Sequence, residues 1–232
     1  MLFPLYFDPT YILLIPAIIL AMYAQTKVQS TYYKYSRVPS KTGFSGAQAA
    51  QEILRQNRIY DVRVEQGRGR LTDHYDSRSK ILRLSPEVYN SSSLAALGIA
   101  AHEAGHAIQH ANEYVPLKFR NALVPVANIG SQLALPLLIL GLVLSLPNLA
   151  LIGVLGFSLA VLFQLVTLPV EFNASNRAIA ALERGGIIHR DETGHTKKVL
   201  SAAALTYVAA TLMAVMQLFR LMLLTGGRRR SY

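Results

Sequence analysis

The chain has 232 residues, of which 52% are hydrophobic and only 16% charged, far from the average soluble domain and typical of a membrane protein. It contains no cysteine, which excludes disulfides, thiolate metal sites and cysteine nucleophiles and leaves any metal to His, Asp and Glu. Its formal charge of +10 crowds beside apolar segments without aromatic interleaving, which reads as membrane topology against anionic lipid and argues against nucleic-acid binding.

From the N-terminus, "PTYILLIPAIILAMYAQ" (9–25) is apolar and contains Pro16. No basic residue precedes it and no small-residue cleavage site follows, so it reads as an uncleaved anchor. Lys27, Lys34, Arg37 and Lys41 come after it, which puts the N-terminus outside and the next segment inside. Residues 45–57, "SGAQAAQEILRQN", carry helical apolar spacing with Ser45 as cap. Three short runs follow, "YDVRVEQ", "RLTDHYD" and "KILRLS", separated by "GRG" and "SRS", and they predict a small three-stranded sheet packed on a helix. A helix is expected from about Leu94 to Asn112.

Beyond it, "LALPLLILGLVLSL" (133–146) and "LALIGVLGFSLAVLFQLVTLPV" (149–170) are each near bilayer length and are joined by the turn "PN", which predicts an antiparallel membrane hairpin. A new helix is expected to begin at Pro169 and stop at Gly185. The last apolar helix is expected over 199–224. If it spans, Arg228, Arg229 and Arg230 finish outside, against the positive-inside rule. Gln217 and Arg220 within it favour a placement packed on the domain or at the interface. The expected division is an anchor (1–26), a metallopeptidase region (27–127), a membrane hairpin (128–170), a helix with a polar loop (171–198) and a C-terminal apolar helix with a basic tail (199–232).

The stretch "AAHEAGHAIQHAN" (100–112) carries the chemistry. On a helix, positions i and i+4 lie about 40° apart with a rise of about 6 Å, so His102 and His106 can face one ion. Glu103, turned by about 100°, can instead reach a water at that ion as general base. Left unpaired in so apolar a helix, these polar groups would cost several kcal/mol, which argues against ordinary core histidines. His110 lies about 12 Å along the axis from His102 and cannot join it on one ion. The glycine that would let the chain turn back is absent: Gln109 and Asn112 stand where a metzincin has Gly and His. His110 is therefore a helix-end or outer-shell residue. A catalytic zinc needs a third protein ligand, and "TLPVEFNASNRAIAALERGG" offers Glu171, expected just inside its helix, where the dipole alone would also favour a carboxylate.

Taken together, "AAHEAGHAIQHA", "FDPTYILLIPA", "LTDHYDSRSKILRLSPEVY" and "TLPVEFNASNRA" resemble the YugP-type membrane zinc metallopeptidases, over the whole chain. The resemblance extends distantly to the HtpX and CAAX-prenyl-protease families, where HExxH, a membrane hairpin and a Glu ligand follow in the same order. It implies an α+β, mainly helical membrane protein: a gluzincin-like core, with the sheet packed on the HExxH helix, and three to four membrane helices. It further implies one catalytic Zn²⁺ held by His102, His106 and Glu171, with Glu103 as base. HtpX-type enzymes place an Asp four residues after the ligand Glu; here Ser175 stands there, and Asn173 or Asn176 are alternatives. By the same resemblance Asp73, His74 and Tyr75 are candidates for the substrate cleft, where a peptide would add as a strand along the sheet edge.

Zincins often add a donor for the tetrahedral oxyanion. Tyr207, in "ALTYVAAT", is the first candidate, with His195 and Arg177 behind it, Arg177 also being an outer-shell candidate. The reading is a multi-pass endopeptidase of the bacterial plasma membrane, acting on peptides or membrane proteins at the cytosolic face. A non-catalytic zinc scaffold or chaperone is the alternative, against which Glu103 argues, since a structural site needs no water-activating carboxylate. A site-2-type intramembrane protease would need a later "DG" ligand motif, which is absent, and the hairpin lacks the charges of a transport path.

Overall fold

The computed structural model describes residues 9–226, so the expected basic tail Arg228–Arg230 lies outside the described residues. A short 3₁₀ turn (Pro9–Leu14) leads into α1 (Ile15–Tyr35). There follow α2 (Gly46–Gln56), β1 (Arg63–Gln66), β2 (His74–Asp76), β3 (Ile81–Leu84), α3 (Pro86–Tyr89) and α4 (Leu94–Ala111). Three long helices close the described chain: α5 (Val115–Val143), α6 (Pro147–Arg184) and α7 (Arg190–Gly226). The protein is mainly helical, and four of its helices are long and apolar enough to cross a membrane.

The local signals explain most boundaries. Ser45 caps α2 through the Gln48 amide while the Gln48 side chain returns to the Ser45 N–H, a reciprocal capping box. Ser93 caps α4 through the Ala96 amide. The sheet has the order β1-β3-β2, with β1 parallel and β2 antiparallel to β3, so β2 is an edge strand.

Two compact units are built from these elements, and α1, α5, α6 and α7 each contribute to both. One comprises residues 24–119 and 167–207. Its core joins Ile53 and Leu54 of α2, Leu82 and Leu84 of β3, Leu94 and Leu97 of α4, Leu182 of α6 and Leu200 of α7. The other unit, drawn from the first helix, 120–166 and 208 onward, has a small core of Leu138, Val154 and Leu221.

Two sequence expectations need correction. No new helix begins at Pro169: α6 runs unbroken from Pro147 through it to Arg184. Proline removes one backbone bond and crowds the preceding turn, but a long helix held by neighbours absorbs that, and α5 does so at Pro125 and Pro136. Glu171 is therefore deep inside a helix, where the N-terminal dipole cannot account for it. Second, α5 and α7 start at Val115 and Arg190, well before their apolar runs. Arg220, for which the sequence favoured a sheltered or interfacial place, is buried in its own unit, donating to Thr10 Oγ1 at 3.0 Å and lying 3.7 Å from the Tyr11 ring centroid. It is thus sheltered by the first helical segment, the protected arrangement that the sequence favoured.

Candidate metal centre

Helix α4 is built for close approach. Its buried face is almost all Ala, Gly and Leu, and Gly105, inside the HExxH stretch, sits where a Cβ would come 2.6 Å from the Ala174 carbonyl of α6. That contact brings the histidines of α4 to the carboxylate of α6. His102 Nε2 lies 3.1 Å and His106 Nε2 3.6 Å from the same Glu171 oxygen. Glu171 is buried and the two imidazoles are largely so.

These distances suit a metal. With ligand bonds of about 2.0–2.2 Å, two donors on a tetrahedral ion stand roughly 3.3 Å apart. All three ligand atoms lie within 4.8 Å of one another. Two imidazole nitrogens and a carboxylate oxygen are a donor set that fits zinc, and among the described residues this is the group of His, Asp and Glu side chains that can hold an ion. The electrostatics agree. Burial by itself would lower the His106 pKa, yet the hydrogen bond with Glu171 and the charges of Glu103 and Glu171 raise it, so the site favours a positive charge.

The far nitrogens of both imidazoles are also engaged. His102 Nδ1 is 3.2 Å from Ser175 Oγ, at the position where the resemblance anticipated an Asp supporting a metal-bound His. His106 Nδ1 is 3.0 Å from Gln109 Oε1. Gln109 is completely buried, and its amide nitrogen donates to the Val170 carbonyl at 2.8 Å and to Asn173 Oδ1 at 3.0 Å. Arg177 Nε donates to the same Asn173 oxygen at 2.7 Å, with its guanidinium 5.8 Å from the Tyr114 ring centroid. Asn176 is exposed on α6.

Gln109 was missed in the sequence, where it registered only as a missing glycine. The available signal was its spacing: 102, 106 and 109 fall on one helical face, and an uncharged polar residue there needs buried partners.

The remaining candidates sit elsewhere. Glu103 is half-buried beside the two histidines on α4, near enough for its charge to act on His106. Tyr75 is half-buried on β2, and its hydroxyl is 2.8 Å from His110 Nδ1, which fixes the edge strand to the end of α4. Burial, with the charges of Asp61 and Asp76, pushes the Tyr75 pKa up to about 12. The Asp73 carboxylate accepts from the Ser85 amide and hydroxyl at 2.7 and 3.0 Å, holding the start of α3. His74 is exposed, with Nδ1 2.6 Å from the Thr72 carbonyl. Tyr207 is half-buried on α7, and His195, on the same helix, stacks on Tyr35 at 5.2 Å between centroids.

With that geometry in place, the comparisons with known proteins are decisive for the family. The family model described as "Putative neutral zinc metallopeptidase" matches residues 10–226. The chain belongs to this family. It is also 48% identical over 218 residues to a Bacillus subtilis (strain 168) protein named "Putative membrane protease YugP", covering 93% of this chain and 96% of that one. No solved structure matches the chain. Membership bears out the resemblance drawn from the sequence, and among the described residues His102, His106 and Glu171 form a group that could hold a metal ion.

Proposed function

We propose that the protein is a membrane-embedded zinc endopeptidase with His102, His106 and Glu171 as ligands of one Zn²⁺ and Glu103 as general base. The observation that carries this reading is the meeting of three side chains from two helices, 69 positions apart in sequence, at spacings suited to one tetrahedral ion. Bound there, zinc supplies a Lewis acid that polarises a carbonyl and activates water. The chain's own residues do the rest. Glu103, one helical position beyond His102, takes the water proton and delivers it to the departing amine. Glu171 and the two imidazoles keep their donor atoms converged. The edge strand β2, packed on α4 and open on its far side, offers backbone groups to an extended peptide. A donor for the oxyanion comes in this reading from Tyr207 of α7, in the same unit.

Substrate class and sidedness follow from position. Glu171 directly ends the apolar run 149–170, so cleavage takes place at the membrane boundary, on membrane proteins or peptides delivered there. If α1, α5, α6 and α7 all cross, residues 36–114 and the α6–α7 turn share one side. Lys34, Arg37, Lys41, Lys118, Arg120, Arg184, Arg190, Lys197 and Lys198 flank the spans on that side, against Arg228, Arg229 and Arg230 on the other. By the positive-inside rule this excess supports a cytosolic site in a bacterial cell, despite the basic tail.

Zinc quantification on purified wild type, Glu103→Gln and Glu171→Ala, joined to a peptide-library cleavage assay, tests these roles. Wild type should carry one zinc and cleave. Glu103→Gln should keep the zinc and lose activity by about 10²–10⁴-fold, and Glu171→Ala should lose the metal. Undiminished cleavage by Glu103→Gln, or full zinc in Glu171→Ala, would remove the corresponding assignment.

A further inference from the structure

The polar groups behind His106 form a chain whose hydrogen-bond directions are all determined by one residue. Arginine has donors and no acceptor, so the Asn173 atom facing Arg177 Nε must be the carbonyl oxygen. That oxygen also faces Gln109, as does the backbone carbonyl of Val170, and both are acceptors. Gln109 must therefore present its NH₂ to α6 and its carbonyl to His106. A carbonyl can only accept, so His106 carries its proton on Nδ1 and leaves Nε2, the nitrogen that faces Glu171, with a free lone pair. The amide is fully buried and every one of these contacts is made, so a flip would leave unpaired groups in the core.

We infer that Gln109 is a positioning residue for the metal, locking His106 in the metal-competent tautomer and tying it to α6 on both sides of Glu171. Resting on the zinc reading above, this role adds a determinant of affinity that lies outside the ligand set. The same amide that orients one ligand grips the helix that carries another, through Val170 and Asn173, so the two ligands are set against each other by one side chain. The acceptor is also uncharged. Both imidazoles are backed by neutral groups, Gln109 and Ser175, where a carboxylate would add negative charge and make the ligand more basic.

The experiment measures zinc affinity by chelator competition and the visible absorption spectrum of the Co²⁺-substituted protein, on full-length protein in detergent. Gln109→Met keeps the size and removes the acceptor; it should weaken zinc binding about 10–100-fold, while helical content and size-exclusion profile of the metal-free protein stay those of wild type. Gln109→Glu restores an acceptor for His106 but loses the donor to Val170 and Asn173, so its affinity should lie between those of wild type and Gln109→Met, with a shifted cobalt spectrum. A merely structural amide would lose stability in both variants without this partial rescue. Wild-type affinity in Gln109→Met overturns the inference and leaves the zinc reading standing. If Gln109→Met is obtained only as aggregate, Gln109→Glu decides, and an unchanged cobalt spectrum there overturns it. A wild type that binds no zinc retires the reading and the Gln109 role together.

Discussion

Helix α6 takes part in two kinds of close packing. In one unit its first half meets α5 through small residues: a Cβ on Gly141 would lie 2.3 Å from the Ala150 amide nitrogen, and one on Gly153 would lie 2.7 Å from the Ala134 carbonyl. In the other unit its second half meets α4 at Gly105, against the Ala174 carbonyl. The steric device is the same, but its surroundings differ. Around the hairpin contact the neighbours are apolar and outward side chains such as Leu135, Ile139 and Leu155 are exposed, which suits a lipid surround where close van der Waals packing carries helix association. Around Gly105 stand Glu171, Gln109, Ser175 and two histidines, each with a polar partner. Close approach holds helices together in the first case, and in the second it sets the distance between the proposed metal ligands.

That contrast can be broken most directly by making one substitution in both places. Gly105→Ala forces α4 and α6 apart beside His106, and misplacement of reacting groups by a fraction of an ångström to 1 Å costs up to about 10²-fold. Peptidase activity should fall by that order, with weaker zinc binding. Gly141→Ala crowds the hairpin and should cost about 1–3 kcal/mol of stability, seen as easier thermal unfolding in detergent, with zinc affinity unchanged. Equal loss of zinc affinity in both variants would erase the distinction between the two contacts.

The next effect is smaller and sharpens the comparison within the site. Ser175→Ala removes the partner of His102 Nδ1, but Ser175 is only partly buried and water can take its place. Zinc affinity should fall by about tenfold, the low end for such partners, and by less than in Gln109→Met, whose position is closed to water. An equal or larger loss at Ser175 would mean that His102, and not His106, is the ligand that depends most on its support.

Much of this was legible in the chain, and the failures share a cause. His102, Glu103 and His106 stood out as candidates by their spacing, and Glu171 was one candidate in its segment whose choice rested on the family resemblance; the structure brings His102, His106 and Glu171 together. The three strands follow from alternation and turn residues. Pro169 misled because a proline reads as a helix start, whereas the long helix α6 runs through it. The early starts of α5 and α7 were hidden because polar turns such as "VPLKFRN" and "RDETGHTKK" break the apolar pattern without breaking the helix. Gln109 has no motif at all, since its role depends on Val170 and Asn173, more than 60 positions away. Local patterns report which face is apolar; they do not report what a buried polar group will meet.

The smallest expected effect concerns the edge strand, and its pH dependence has a definite sign. Tyr75 has its pKa raised from 10 to about 12, by burial first and then by Asp61 and Asp76. A group that holds its proton more tightly when folded contributes stability that is fully present below its unfolded pKa. That contribution is lost as pH rises through the folded value. Tyr75 should thus favour the fold up to about pH 10 and cease to do so towards pH 12, as the ionised phenol stays in its half-buried place beside His110. Tyr75→Phe removes the hydroxyl and with it this dependence: alkaline unfolding followed by circular dichroism should show a shallower decline between those limits. At neutral pH the variant should lose about 0.5–1.5 kcal/mol from the missing hydrogen bond, and peptide KM should rise more than kcat falls, because the strand that receives substrate loses its tie to α4 while the metal ligands keep theirs. A change in kcat alone would place Tyr75 with the ligands of α4 and α6, and would count against β2 as the substrate edge.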